Sequence, residues 1–408
     1  MEPGFRVELE SITITCDDGA IDVPRLGRVA RINIYDRKTY RGPTADLILD
    51  DEERISRVID DLRKDPAAAR QALERPVAVT FGLREAQLSH ELFLPTDDDE
   101  RRRKDSLAWA FERFPLVVGR MKQVYGLRLP RHLAVWAAFC RSLSPLEKLG
   151  LDYVGRSPDG IMIWFEDDGL ERKTRDGLDA RLEGRYRADP PELVTVMGGD
   201  TDGLHYGLWY DDPAELPSFV ASNYARDSAE TGVYEPTVLA ELLGQLRQRI
   251  EHPEYENDLQ PLGVHALFAA LRWWKPADDQ ALADDGPRRW AEEKRSQIIG
   301  GISPALPPGA GDPRTSYDDY EARDRAYRTQ EAQPIIELAR AELRAGKPAF
   351  ALVVGRELHW RDADDTRAAA LELLCGAYEA LGRHALAEIA KVHHAHRDLR
   401  SVSVFTGT

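Results

Sequence analysis

The chain has 408 residues, enough for two or three domains that each bury a core. Its 55 basic and 71 acidic residues give a formal net charge of -16, which disfavours nucleic acid and anionic membranes as partners. The three cysteines, Cys16, Cys140 and Cys375, form no C-x-x-C pair, so the sequence supports neither a disulfide framework nor a cysteine zinc site.

The first residues, "MEPGFRVELESITIT", lack the basic start and apolar core of a secretory leader. No apolar run reaches the length that spans a bilayer. We therefore expect a cytoplasmic protein that makes no membrane contact.

Residues 1–100 are predicted to form an N-terminal α+β unit. Apolar and polar residues alternate in 5–16 and 28–36, which predicts strands, and residues 77–83 and 88–95 return to this pattern. Helical spacing predicts a helix across 50–75. The charged run "TDDDERRRKD" that follows indicates a solvated linker or a helix start.

Residues 101–250 are predicted to form a central α+β domain. A helical pattern covers 106–143 and breaks at Pro130, and a further helix is predicted at 236–251. Between them, four short segments predict strands of an antiparallel sheet, namely "LDYVG", "GIMIWFED", "ELVTVMGGD" and "LHYGLWYDD".

Residues 251–408 are predicted to form a mostly helical C-terminal domain, with helical patterns at 264–274 and 288–299. Gly346 and Gly382 each lie between two amphipathic helices, 382 - 346 = 36 residues apart. This spacing predicts a weak two-fold repeat of helical hairpins, which in other proteins serve as scaffold or protein-binding surface.

Two acidic or histidine-rich segments raise the question of a metal. Asp200 and Asp202 are spaced as in a calcium loop, but Asp211 stands where a bidentate glutamate is needed, so we assign "GGDTDG" to a hairpin turn. The "HHAH" histidines have no acidic or histidine partner at a matching spacing. We predict no metal and no cofactor.

The strand "LHYGLWYD" offers the clearest candidate binding face. Its period of two places His205, Gly207, Trp209 and Asp211 together. This face is either a pocket in which His205, Trp209 and Asp211 bind a ligand or partner, or a solvated sheet face. The chain contains no G-x-S-x-G, P-loop or G-x-G-x-x-G motif, so no standard enzyme constellation is present.

Three segments, "YGLRLPRHLAVWAAFCRSLSP", "LGLDYVG" and "RYRADPPELVTVMGGDTDGLHYGLWYDDPAELPSFVASNYA", resemble in order and spacing the central domain of the histone PARylation factor family. The likeness continues more faintly through "GGISPALP", "SYDDYEARDRA" and "GAYEALGRHALAEIAKVHHAHRD". It implies a distant member with an antiparallel sheet and packed helices. The residues that carry the resemblance are Leu129, Pro130, Phe139, Cys140, Asp189, Pro190, Pro191, Glu192, Gly199, Asp200, His205, Gly207, Asp212, Pro213, Glu215, Pro217 and Asn223.

Members of that family dock on a poly(ADP-ribose) polymerase and lend a glutamate base, from an Asp-Glu pair, to a shared active site that modifies serine. Arg344 and Ala345 stand at the positions of the pair, so the resemblance implies Glu342, about one helical turn away, as the catalytic carboxylate. The family's polymerase-contacting arginine, which follows a tyrosine, corresponds to Asp318 after Tyr317.

The central pattern also looks like the SUKH superfamily, whose members often act as immunity proteins that neutralise toxins. Three functions therefore remain open at this point. The first is an accessory or regulatory protein that binds an ADP-ribosyltransferase or its product. The second is an immunity or other interaction protein, for example one that neutralises a toxin, without ADP-ribose chemistry. The third is an enzyme with scattered carboxylates. The missing catalytic motifs favour a protein-binding role without independent activity.

Overall fold

The computed structural model describes residues 95–233, 235–251 and 262–405, together with the backbone of five strands nearer the N-terminus. These strands are β1 (Ser11–Cys16), β2 (Gly19–Pro24), β3 (Val29–Asn33), β4 (Thr44–Ala45) and β5 (Ala78–Leu83). They confirm strand predictions within 5–16, 28–36 and 77–83. The predicted helix at 50–75 lies outside the described residues, as do residues 88–94 of the strand predicted at 88–95.

The strands nearer the N-terminus form two small sheets. β1 pairs with β2 in antiparallel fashion, with Ser11 opposite Pro24 and Cys16 opposite Gly19. β5 lies between β3, to which it is antiparallel, and β4, to which it is parallel.

Three helices follow: α1 (Asp97–Tyr125), α2 (His132–Ser142) and α3 (Pro145–Tyr153). The charged run begins α1, whose first turn contains three aspartates that complement the helix dipole. The Thr96 hydroxyl accepts from the amide of Asp99 at 3.2 Å and so caps this turn. Pro130 separates α1 from α2, as predicted.

Two predicted strands are helical in the structure. The "LDYVG" segment, residues 151–155, falls at the end of α3, because Ser144 and Glu147 form a capping box that starts a helix nine residues long. The "GIMIWFED" segment forms a 3₁₀ helix, Gly160–Phe165, whose first amide is capped by the Asp159 carboxylate at 2.7 Å. Both strand predictions are wrong, because capping of a short segment outweighs its β-branched composition.

The next five strands are β6 (Ser157–Pro158), β7 (Leu193–Gly198), β8 (Leu204–Trp209), β9 (Phe219–Tyr224) and β10 (Thr231–Val233). They form an antiparallel sheet in the order β10-β9-β8-β7-β6. Leu204 pairs with Tyr224, and Trp209 pairs with Phe219. Asp202 and Gly203 have φ angles of +49° and +67°, which confirms the hairpin turn.

The remaining elements are mainly helices, in a region that the sequence predicts to be helical. They are α4 (Val238–Glu251), α5 (Leu262–Asp284), β11 (Gln297–Ile298), β12 (Gly301–Ile302), α6 (Tyr317–Arg328), α7 (Gln333–Arg344), α8 (Pro348–Arg361), α9 (Arg367–Ala380) and α10 (His384–Ala395). Gly346 and Gly382 end α7 and α9 with φ angles of +76° and +73°, so both predicted hairpins are present.

The helix predicted at 288–299 is absent, and the segment instead forms turns that lead into the β11–β12 hairpin. Gly300 and Gly301, with φ angles of +87° and +131°, supply the hairpin turn. The mixed helix and sheet architecture confirms the α+β class. No helix in the described part of the chain is both long and apolar enough to cross a membrane.

The chain divides into two compact units that interleave along the sequence. The first comprises Met1–Trp109, Ala138–Arg156 and Leu239–Asp279. Its helices share a buried ion pair in which Arg103 Nη2 lies 2.7 Å from Glu147 Oε1. The second comprises Ala110–Ala137, Ser157–Val238 and Gln280–Thr408, and it contains the five-stranded sheet. The domain boundaries at residues 100 and 250 stay predictions.

Gly207 lies where two sheet strands approach closely. A Cβ atom at this position would lie 2.6 Å from the Val194 carbonyl oxygen and 2.7 Å from Leu193 Cδ1. We predict that Gly207→Ala lowers the free energy of unfolding by about 2 kcal/mol or more, because backbone must move. Gly119→Ala, on an open face of α1 with nothing within 4 Å, is the control and should raise it by about 0.5–1 kcal/mol. Urea unfolding measures both, and equal effects would contradict the close approach.

Candidate functional site

His205 lies fully buried in β8, between two hydrogen-bond acceptors. Its Nε2 lies 3.0 and 3.1 Å from the Asp189 carboxylate oxygens, and its Nδ1 lies 2.8 Å from the Gly203 carbonyl oxygen. Both ring nitrogens therefore donate, which requires an imidazolium. Burial opposes this charge, but Asp189 and the Gly203 carbonyl outweigh burial and raise the pKa of His205.

A second buried histidine continues this network. His359 Nε2 donates to the Asp189 carbonyl oxygen at 2.9 Å, and its Nδ1 accepts from Arg397 Nη1 at 3.0 Å. Burial and the Arg397 charge hold the pKa of His359 well below its usual value. The His393 ring packs beside His359, with 5.3 Å between centroids. This member of the "HHAH" cluster therefore belongs to the core.

Asp211, which follows the end of β8, accepts five hydrogen bonds. Arg295 binds it through both terminal nitrogens, with Nη1 2.7 Å from Oδ1 and Nη2 2.6 Å from Oδ2. The Ser218 hydroxyl donates at 2.6 Å and the Ala305 amide at 3.1 Å. Trp209 adds a longer contact through Nε1 at 3.3 Å. Asp211 is 1 % exposed, so the Asp211–Arg295 pair is isolated from water. These hydrogen bonds compensate for the hydration that the two charges lose.

Helix α8 brings further charges into the interior of the second unit. The Arg356 guanidinium lies 5.0 Å from the centroid of the Trp209 ring and 3.0 Å from Glu192. Its neighbour Glu357 accepts from Arg323 at 2.7 and 2.9 Å and from the Tyr327 hydroxyl at 3.0 Å. Burial raises the pKa of Glu357, although these donors act against the rise.

The predicted face of β8 is neither solvated nor an open pocket. Every residue of β8 is buried, and Trp209 is 0 % exposed. Trp209 packs with Leu193, Phe219 and Ala221, and Ile302 covers this cluster. The expectation of a solvated face is wrong, because α8 and the segment around Arg295 cover the side that the alternating pattern left open. His205, Trp209 and Asp211 have internal partners.

Glu342 lies in α7 and forms an ion pair with Arg314, which belongs to the loop before α6. Tyr317 and Asp318 are the first two residues of α6, close to Arg314 in sequence. Tyr317 is 75 % exposed, and Asp318 is also exposed. We call Arg314, Tyr317, Asp318 and Glu342 the Glu342 surface. The loop before α6 thus contacts α7 through the Arg314–Glu342 pair.

Hydrogen bonds fix the backbone of Arg314 at both its amide and its carbonyl. Its φ angle of +52° is unusual for a residue with a side chain, its amide donates to Asp312 Oδ1 at 2.9 Å, and its carbonyl accepts from Arg323 Nη1 at 2.6 Å. The guanidinium lies 4.8 Å from the Phe350 ring centroid. Because buried Glu357 fixes Arg323, the position of Arg314 depends on the buried Arg323–Glu357 pair.

Sequence reasoning missed the arginines that complete these groups, among them Arg295 and Arg314. One signal was available for α8, where Arg356 and Glu357 interrupt the apolar run "AFALVVGRELHW" and so indicate buried charge. The segment around Arg295 has the pattern of an amphipathic helix with many charged residues, so nothing in it indicates that Arg295 has a buried partner. Within the described ranges, no group of three or more histidine, cysteine, aspartate or glutamate side chains could hold a metal ion.

Removal of the Asp211 carboxylate tests the buried pair. Asp211→Ala leaves the Arg295 charge without its partner, so we predict a loss of about 3–5 kcal/mol in the free energy of unfolding. Asp364→Ala is the matched control, because Asp364 pairs with Arg367 at 3.2 Å but is 95 % exposed, and it should leave the urea midpoint unchanged. Equal midpoints for the two variants would contradict the account.

The protonation of His205 is a second test. A raised pKa means that its ion pair stabilises the fold fully below the usual histidine pKa of about 6.5, and that this contribution is lost as pH rises through the folded-state pKa. We predict that NMR titration places the pKa of His205 above 6.5 in the parent chain, and that Asp189→Asn lowers it because burial then dominates. A parent value at or below 6.5 would disprove the imidazolium.

Comparison with known proteins adds information on relatedness. Residues 118–265 match the family model described as histone PARylation factor 1. The mouse (Mus musculus) protein of that name is 32% identical over 114 residues, which cover 26% of this chain and 32% of the mouse protein. The bovine (Bos taurus) protein is 34% identical over 110 residues, 25% of this chain and 30% of its own.

The zebrafish (Danio rerio) histone PARylation factor 1 is 28% identical over 113 residues, which cover 26% of this chain and 31% of the zebrafish protein. The matches thus span about a third of the length of these relatives, and the family match ends before Arg314 and Glu342. It includes Asp189, His205 and Asp211. In its central region, the chain is similar in sequence to histone PARylation factor 1.

Proposed function

We propose that this protein is an accessory factor for ADP-ribosylation that binds an ADP-ribosyltransferase. The observation that carries the proposal is the match of residues 118–265 to histone PARylation factor 1, together with three named relatives at 28% to 34% identity. A cytoplasmic site of action is part of the same proposal.

The interior of the second unit supports a binding role. His205 and Asp211 face internal partners, and each is no more than 1 % exposed. A group that acts on another molecule needs access to it, which these side chains lack. Of the residues that the resemblance implicates, Tyr317, Asp318 and Glu342 have exposure that suits contact with a partner.

Glu342 is our candidate for the carboxylate that the factor lends to its partner. A general base must reach the hydroxyl from which it takes the proton, and the Glu342 side chain is 18% exposed. In the free protein its carboxylate pairs with Arg314, so an acceptor hydroxyl must replace part of this contact. Arg314 itself is 35% exposed and therefore has room to move.

Tyr317 is our candidate for the anchor of the partner interface. A large aromatic side chain that is 75 % exposed is unusual on a free surface and typical of residues that contribute strongly to binding. The Ser316 hydroxyl caps α6 by accepting from the Asp319 amide at 3.2 Å, so the tyrosine stands on a fixed helix end.

A test begins with affinity capture of the tagged protein from its native cells and identification of the bound proteins. With the captured transferase, we predict that Glu342→Gln lowers acceptor modification by about 100-fold or more, the usual contribution of a general base, and leaves binding unchanged. Tyr317→Ala should weaken binding by about tenfold or more. Glu388→Gln, an exposed carboxylate paired with Lys391 at 2.9 Å, is the control for both.

Two outcomes would contradict the proposal in different ways. Capture of a toxin and of no transferase would remove the accessory role and favour the immunity alternative. Capture of a transferase whose acceptor modification is unaffected by Glu342→Gln would leave the accessory role in place but exclude Glu342 from the shared site.

A further inference from the structure

Residues 401–405, "SVSVF", lie across the second unit as an extended strap. The Val404 carbonyl accepts from the Arg175 amide at 2.8 Å, and the Val402 carbonyl accepts from the Gly184 amide at 2.9 Å. Phe405 forms an isolated antiparallel bridge with Thr174. The strap is thus bound through its backbone, by one isolated bridge and two further backbone hydrogen bonds.

Side chains of the unit complete the contact. The Glu183 Oε2 atom accepts from the amides of Val404 at 2.7 Å and Phe405 at 3.0 Å. The Arg175 guanidinium donates to the carbonyls of Ser401 at 2.9 Å and Ser403 at 3.1 Å. The Glu183 carboxylate therefore accepts from strap amides, and the Arg175 guanidinium donates to strap carbonyls. In a regular sheet, backbone groups of a neighbouring strand would make these bonds.

The receiving surface is held in place independently of the strap. Gly184 has a φ angle of +64°, and a Cβ atom there would lie 2.9 Å from Thr195 Cβ. Its carbonyl accepts from the Thr195 hydroxyl at 2.7 Å, which ties it to β7. Trp164, fully buried, forms the floor, and its ring meets the Phe405 ring edge-on at 6.4 Å.

The strap is joined to the fold by a short exposed connection. Arg397 is 4 % exposed and donates to the His359 carbonyl at 2.7 Å, so α10 and the residues up to Arg397 are fixed. Asp398, Arg400, Ser401 and Ser403 are exposed. Detachment of the strap would therefore break only the contacts of residues 401–405, and α10 would remain packed.

We propose that Trp164, Arg175, Glu183 and Gly184 form a peptide-binding groove, in which residues 401–405 are an exchangeable ligand from the same chain. The groove recognises an extended segment with a β-branched residue followed by phenylalanine, like Val404 and Phe405, which are its two buried strap residues. This inference does not depend on the accessory role or on the Glu342 surface.

Attachment to the chain explains why the groove is filled. A short flexible connection gives a ligand an effective concentration on the order of 1 mM. A free peptide with a Kd of about 100 µM would therefore bind the parent protein about tenfold more weakly than a protein whose strap is displaced.

The test uses the full chain and a fluorescein-labelled peptide of residues 400–405, RSVSVF. We expect saturable binding to Phe405→Asp, whose own strap cannot place a charge against Trp164, and about tenfold weaker binding to the parent. Glu183→Gln in the Phe405→Asp chain should weaken binding by about tenfold, because charge-assisted hydrogen bonds become neutral. The matched peptide RSVSVD should not bind.

Absence of peptide binding to a folded Phe405→Asp chain, or equal binding with and without the Glu183 charge, would overturn the proposal. Hydrogen exchange on the parent chain tests it without any variant. We expect the Val404 and Phe405 amides to exchange at least about 100-fold faster than the Leu208 amide in β8, through local opening. Equal protection of these amides would show that the strap leaves only with global unfolding, which also overturns the proposal.

Discussion

Asp211 and Arg295 lose their hydration when the sheet is covered on both faces, so each charge needs hydrogen-bond partners inside the protein. The two Arg295–Asp211 contacts, of 2.7 and 2.6 Å, replace hydrogen bonds to water. The Ser218 hydroxyl and the Ala305 amide donate two further hydrogen bonds to the Asp211 carboxylate. Arg295 lies just before the β11–β12 hairpin, so its pair with Asp211 also fixes this hairpin next to the end of β8. An apolar pair could fill this space, but it would lack the directional hydrogen bonds between Arg295 and Asp211.

The same requirement explains what the residues of the resemblance do. Asp189 fixes His205 through its carboxylate and His359 through its carbonyl, and Glu192 faces Arg356. These residues are buried and join the sheet to α8 and the segment after α10. Their partners are all internal, whereas the carboxylate proposed to act on a partner, Glu342, lies elsewhere, on α7.

Much of the fold follows from local patterns, and the exceptions have local causes. Alternation predicted β7 and β8, and the spacing of Gly346 and Gly382 predicted both helical hairpins. The segments around Tyr153 and Trp164 have strand composition, but capping by Ser144 and Asp159 makes them helical. Alternation could place His205 and Trp209 on one face of β8, but it could not show that α8 covers this face, because that contact joins residues about 150 positions apart. The Glu342–Arg314 contact joins residues 28 positions apart, in a loop and a helix, so local patterns did not show it either.

We propose that this protein contacts its partner through the Glu342 surface, and that the buried charges around β8 stabilise the fold. Hydrogen–deuterium exchange of the protein alone and with its captured transferase tests this claim most directly. The account predicts slower exchange in the partner complex over residues 309–346, which contain the Glu342 surface, and unchanged exchange over β8. Protection of β8 and of the segment around Asp211, with none at 309–346, would contradict it.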